Sequence, residues 1–207
     1  MAKSKKEAII KEAPIAGKVP IQIRKIISLA KSVGPAVCRV GSQRTCASGF
    51  LCVVKPTFSA AGDIYTFVTN NHVIGDLSAD SLNGYLLEFD SVPGMKPLQL
   101  SADTVGFSWT NKVFDATIIE IKLSSAARIL NLGTHFLDVG KVITGSPGAV
   151  IGHPEGDEPS FDHGTISKII NEYQVLHRSS TKPGNSGSPL VTLEGQAVGI
   201  HCGSYNE

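Results

Sequence analysis

Through most of the chain, apolar residues come in short alternating runs, each closed by glycine, proline, asparagine or aspartate. Such a rhythm is that of short strands in a β-sandwich or barrel, where alternate side chains face the core. It predicts strands over 36–40, 49–54, 65–69, 86–89, 98–100, 104–109 and 116–121, with a turn from Pro56 to Gly62. It predicts a second series over 141–144, 149–151, 164–170, 174–177, 190–192 and 197–201. Residues 21–33 read differently, because Ile23, Ile26, Ile27, Ala30 and Val33 recur at helical spacing until Gly34-Pro35 stops them. Residues 1–18 read as a polar, flexible lead-in, and 123–136 as a less regular connection between two halves.

Composition narrows the function classes. The 19 basic and 18 acidic residues of this 207-residue chain nearly cancel, so charge gives no reason to expect a nucleic-acid partner. The exception is the small basic start at Lys3, Lys5, Lys6 and Lys11, read as a solvated tail. No apolar run is long enough to span a bilayer, and the charged first residues do not form a signal peptide. Neither a membrane partner nor export is therefore expected, and the expected location is cytoplasmic. Cys38, Cys46, Cys52 and Cys202 lack metal-finger spacing and read as free thiols. A Cys46–Cys52 bridge is the alternative in an oxidising compartment. His135, His153, His163 and His177 form no metal-binding spacing, and His153 reads as a turn residue.

The chemistry lies in Lys182-Pro183-Gly184-Asn185-Ser186-Gly187-Ser188-Pro189-Leu190. A nucleophilic serine needs a tight exposed turn with backbone N–H groups beside it for the oxyanion, and glycines on both sides of Ser186 permit that turn. His72 lies where the run Thr66–Thr69 ends in a polar turn. Asp115 opens the alternating strand Ala116–Ile121. Asp90 and Asp103 compete for the acid role, but neither heads such a strand. A base and its orienting carboxylate at strand ends, followed by the serine, give the order His, Asp, Ser of one of the three unrelated serine-hydrolase arrangements.

With Ser48-Gly49-Phe50-Leu51, Gly152-His153-Pro154-Glu155-Gly156, Gly164-Thr165-Ile166-Ser167 and Ala197-Val198-Gly199-Ile200-His201, these motifs resemble the trypsin/chymotrypsin-fold serine proteases. The texture is nearest to HtrA-type and glutamyl-endopeptidase-type domains, and the resemblance runs from about Val37 to Cys202. It implies an all-β fold of two antiparallel six-stranded-type barrels, with the active site in the crevice between them and a short N-terminal helix. The implied organisation is an N-terminal extension (1–34), a first barrel carrying His72 and Asp115 (35–122), a connection (123–135), and a second barrel carrying Ser186 (136–207). That second barrel reads as truncated, since relatives usually carry a further strand after the segment matching Gly199–Ser204.

The resemblance implies catalysis by Ser186 as nucleophile, His72 as general base and Asp115 as its orienter, with the Gly184 and Ser186 N–H groups as oxyanion hole and no cofactor or metal. Asn185 stands where digestive trypsins carry an aspartate, so activation by pairing a new N-terminus with that carboxylate is not expected. Ser188 replaces a common glycine, as it does in the glutamyl-endopeptidase type. The implied S1 pocket is Ser180, Thr181 and His201, a hydroxyl–imidazole pairing suited to Glu or Gln, with Lys182 or Arg178 nearby to favour Glu. The partner is then a protein or peptide substrate. Two readings compete with an active endopeptidase: a dormant protease-fold binding or scaffold module, and a domain of a larger multidomain protein or polyprotein, to which the terminal Glu207 would correspond as a self-cleavage product.

Overall fold

A computed structural model describes residues 21–41, 46–55, 62–131, 133–171 and 173–203. Residues 56–61 of the expected turn, the basic start and the Asn206-Glu207 end lie outside the described residues. The chain opens with α1 (Ile23–Val33), whose Leu29 and Val33 pack into the core, and Gly34–Ala36 form one 3-10 turn after it. The first sheet follows from β1 (Val37–Gly41), β2 (Cys46–Val54), β3 (Ile64–Thr69), the one-turn α2 (Ala79–Leu82), β4 (Leu86–Glu88), β5 (Leu98–Gln99), β6 (Val105–Asn111) and β7 (Ala116–Ile121). Their spatial order is β5-β4-β1-β2-β3-β7-β6, antiparallel throughout.

Burial explains the pairing. Phe67 on β3 is fully buried and its ring lies over Gly49 of β2, where a Cβ would collide with it. Glycine within a strand thus marks a close approach here. Val40, Leu51, Leu87, Ile119 and Ile121 fill the same core.

The connection departs from expectation. Residues 123–131 form a helix, α3 (Leu123–Asn131), rather than irregular chain. Its inward face is Ser125, Ala126 and Ile129, and the first two are small residues that add little apolar signal in sequence. The Thr134 hydroxyl donates to the Ile129 carbonyl at 2.9 Å and satisfies one of the carbonyls left open at the helix end. The strand expected at 141–144 is absent among the described residues; β8 (Leu137–Asp138) forms earlier and adds parallel to β2.

The second sheet is β9 (Pro147–Gly152), β10 (Ser160–Asn171), β11 (Gln174–His177), β12 (Pro189–Thr192) and β13 (Ala197–Ile200), in the order β11-β10-β9-β12-β13. The molecule is thus mostly β, built as expected from two curled antiparallel sheets, which hold eight and five strands among the described residues. Ala149, Ile151, Val191 and Ala197 from the second sheet join the main core, so the two halves share it.

Cys46 and Cys52 cannot bridge. Both lie on β2, and six residues of strand span about 20 Å, far beyond disulfide reach. All four cysteines are free. Among the described residues no helix is long and apolar enough to cross a membrane.

Candidate active site

β3 ends at Thr69, and the chain then makes one tight turn in which the Val73 and Ile74 N–H groups donate to the Asn70 carbonyl at 3.2 and 3.1 Å. That turn carries His72 out of the sheet. The neighbouring strand β7 is preceded by a loop that the Asn111 carboxamide braces, accepting from the N–H groups of Val113 and Phe114 at 2.8 and 3.1 Å. The loop ends at Asp115, which adopts a left-handed backbone conformation with φ +48°. A non-glycine residue in that region carries strain that its surroundings must hold. They do so here: the buried Asn70 donates its Nδ2–H to the Asp115 carbonyl at 2.8 Å.

The result is a two-point clamp. Asp115 Oδ2 lies 2.7 Å from His72 Nδ1, and Asp115 Oδ1 accepts the His72 backbone N–H at 3.0 Å. A carboxylate at Nδ1 keeps the proton on that nitrogen, leaving Nε2 as the ring atom free to exchange protons. The competing carboxylate Asp90 lies elsewhere, 3.7 Å from Arg39 and 3.5 Å from His153.

Ser186 sits on two successive turns, in which Asn185 N–H donates to the Lys182 carbonyl at 3.1 Å and Ser188 N–H to the Asn185 carbonyl at 3.0 Å. Gly184 and Gly187 take φ +93° and +86°, and a Cβ on either would collide with neighbouring backbone. The end of β13 holds the turn, since Gly187 N–H donates to the His201 carbonyl at 2.9 Å and His201 N–H to the Ser188 carbonyl at 2.8 Å. The N–H groups of Gly184 and Ser186 donate to no protein acceptor among the described residues. Pro183 fixes the first of them: its carbonyl accepts from Glu155 N–H at 2.6 Å, and a trans peptide points the following N–H the opposite way. No hydrogen bond joins Ser186 Oγ to His72 in the described structure, a common state of such pairs without substrate.

Sequence reasoning missed the residues that tie the two sheets at this point. Ser48, fully buried on β2, donates its N–H to the Ser186 carbonyl and its hydroxyl to the Gly184 carbonyl, both at 2.8 Å. The same hydroxyl accepts from His153 N–H at 2.9 Å. His153 is therefore more than a turn residue: it is fully buried, and burial lowers its pKa against the opposing pull of the Asp157 carbonyl and Asp90. Asn185 and Ser188 are also buried, and Gly152 leaves the space that the Ser188 hydroxyl fills.

Of the expected S1 residues, one lines a cavity. His201 is 5% exposed and lines a cavity of about 430 Å³ with Phe114, Asp115, Tyr173, His177 and Cys202. Ser180 is exposed and Thr181 half-buried, and neither lines it. Instead, His201 meets His177, with Nδ1 3.1 Å from His177 Nε2. Burial, then the neighbouring His177 and His72, push the His201 pKa down to about 4. Cys202 adjoins Asp115 and receives the Asn70 amide at 3.3 Å; burial first, then the Asp115 charge, raise its thiol pKa. No group of three or more metal-ligating side chains occurs among the described residues.

This fold is shared with solved proteins. A serine endoprotease from Yersinia pestis superposes with TM-score 0.64 at 19% identity, over 91% of this chain and 60% of that one. The active form of the Rv3671c protease from M. tuberculosis superposes with TM-score 0.61 at 19% identity, over 98% of this chain and 85% of that one. The model of the trypsin-like peptidase domain matches residues 47–200, and the chain belongs to that family. Relatives by sequence include the serine protease Do-like HtrB of Bacillus subtilis (strain 168), 26% identical over 164 residues, 72% of this chain and 32% of that protein. Another is the probable periplasmic serine endoprotease DegP-like of Hahella chejuensis, 30% identical over 146 residues, 67% of this chain and 27% of that protein. The chain thus spans about a third or less of the length of these relatives.

Proposed function

We propose that this domain is a serine endopeptidase that cleaves after Glu, and second after Gln, through Ser186, His72 and Asp115. The observation that carries the reading is the clamp on His72, with Nδ1 held 2.7 Å from Asp115 Oδ2 and Nε2 left as the exchanging nitrogen. Ser186 Oγ attacks the scissile carbonyl carbon while His72 Nε2 takes its proton. The oxyanion that forms is met by the uncommitted N–H groups of Gly184 and Ser186. The C–N bond then breaks as His72 returns the proton to the leaving amine. Water, deprotonated by His72, releases the acyl group from Ser186 by the same route. Losing one oxyanion donor typically costs about 2.7–4 kcal/mol of the barrier. Asn185 in place of a carboxylate supports a site that needs no newly made N-terminal amine. For the P1 preference, the support is His201, a buried imidazole beside the site, with Thr181 on the segment leading to the serine turn.

The test is a matched set of peptides with Glu, Gln, Lys, Phe or Leu before the reporter group, read with the wild type and with Ser186→Ala. Cleavage after Glu that vanishes in the variant is the expected result. Cleavage after another residue would overturn the pocket and keep the triad. A folded protein that cleaves nothing would favour the second reading, a dormant binding module.

A further inference from the structure

Asn185 is buried and carries no charge, so no ion pair holds the serine turn from that position. The Gly184 N–H is aimed by the peptide before it, whose Pro183 carbonyl accepts from Glu155 N–H at 2.6 Å. Glu155 makes that bond from a left-handed backbone, φ +56°, and Gly156 follows at φ +79°. A non-glycine residue keeps such a conformation only where its surroundings fix it. The exposed Glu155–Lys182 pair, 3.6 Å apart, adds little to that. The stronger contact comes from the first sheet, where Arg39 Nη1 donates to the Gly156 carbonyl at 2.9 Å.

Arg39 is itself fixed. It stands opposite Glu88 of β4 in register, and its Nη2 lies 2.5 Å from Glu88 Oε2 and 3.7 Å from Asp90 Oδ1. On its other side it stands opposite Ser48 of β2, so the two side chains leave the same face of the sheet. Ser48 donates to the Gly184 and Ser186 carbonyls, and Arg39 to the turn that meets Pro183. A planar guanidinium suits this place, since one nitrogen reaches the carbonyl while the other keeps the carboxylate.

We propose that Arg39 is a positioning residue of the oxyanion hole: held by Glu88 and Asp90, it pins the Gly156 carbonyl, and so keeps the Glu155 N–H on the Pro183 carbonyl and the Gly184 N–H turned to the substrate. This rests on the peptidase reading and adds what holds its oxyanion donor in place without a carboxylate at position 185. Without Arg39 the left-handed turn relaxes and the Pro183–Gly184 peptide is free to rotate. The loss then falls on the transition state, where the oxyanion exists, rather than on substrate binding.

In Arg39→Gln, kcat on a peptide that the wild type cleaves should fall about 10- to 100-fold, up to the loss of one oxyanion donor, with KM changed less than about twofold. Amide hydrogen exchange followed by NMR reads the contact without a substrate. The Glu155 amide should speed up at least about tenfold more than the amides of β3 and β7, which report global opening. Should Arg39→Gln not fold, Glu88→Ala, which removes the nearer anchor, is read in the same way and should shift both measures in the same direction. A folded variant with wild-type kcat, or with Glu155 exchange raised no more than that of β3 and β7, would overturn the assignment. A wild type that cleaves no peptide would instead count against the peptidase reading, while the Glu155 exchange still decides whether Arg39 holds the turn.

Discussion

Ser48 N–H donates to the Ser186 carbonyl at 2.8 Å, so a residue of the first sheet fixes the backbone of the proposed nucleophile in the second. The Ser48 hydroxyl adds a bond to the Gly184 carbonyl and one from His153 N–H. Replacing the hydroxyl leaves the buried His153 N–H and the half-buried Gly184 carbonyl with one bond fewer. Ser48→Ala should therefore cost about 1–3 kcal/mol of stability and reduce kcat more than it raises KM, because the serine turn loses its anchor. Denaturant melts and initial rates on one Glu peptide check both.

Gly187 makes a sharper case. Its φ of +86° and its approach to the Ser48 carbonyl and the Thr69 hydroxyl leave no room for a methyl group. Gly187→Ala should destabilise by more than the about 0.4–1 kcal/mol that a Gly-to-Ala change gains where the backbone tolerates it, and abolish cleavage, measured by thermal melting and by peptide assay.

Asp115→Asn tests the tautomer of His72. The new carboxamide oxygen can still accept the His72 backbone N–H, which places its NH2 against His72 Nδ1. The imidazole must then carry its proton on Nε2 and cannot accept one from Ser186. The expected loss in kcat is about 10⁴-fold, as in the same change to a serine-protease triad, with the melting temperature little altered.

Stability should fall in acid. Burial is the largest cause lowering the pKa of His153, His177 and His201. A depressed folded pKa means that the unfolded chain binds more protons, so stability rises with pH across the gap. The contribution is complete above the ordinary histidine value of 6.5 and is lost as pH falls toward about 4, the His201 value. Melting temperature should drop between pH 7 and 4.5, by about 2–4 °C for each kcal/mol in a chain of this size. His201→Gln should flatten that dependence; an unchanged slope would show that His201 is not a source of it.

Much of this molecule is legible in its sequence, because short alternating runs closed by turn residues have few other uses. The strands over 64–69, 116–121 and 174–177 match the alternation closely. His72, Asp115 and Ser186 stand out through turn chemistry and strand ends, both local signals. What stays hidden depends on closure in three dimensions. Ser48 looks like any strand serine until it lies under the serine turn. His177 lies in a weak edge strand, and its bond to His201 cannot be foreseen from spacing. The helix α3 escapes because two of its three buried residues are the small Ser125 and Ala126, and the contact of His177 with His201 has no local signal.

The central claim is that Ser186 is a nucleophile activated by His72. Labelling the folded protein with a fluorophosphonate, followed by peptide mapping, tests it without a substrate in hand. One adduct on Ser186, absent in Ser186→Ala and strongly slowed in His72→Ala, is the predicted result. No adduct, or an adduct whose rate ignores His72, would contradict it.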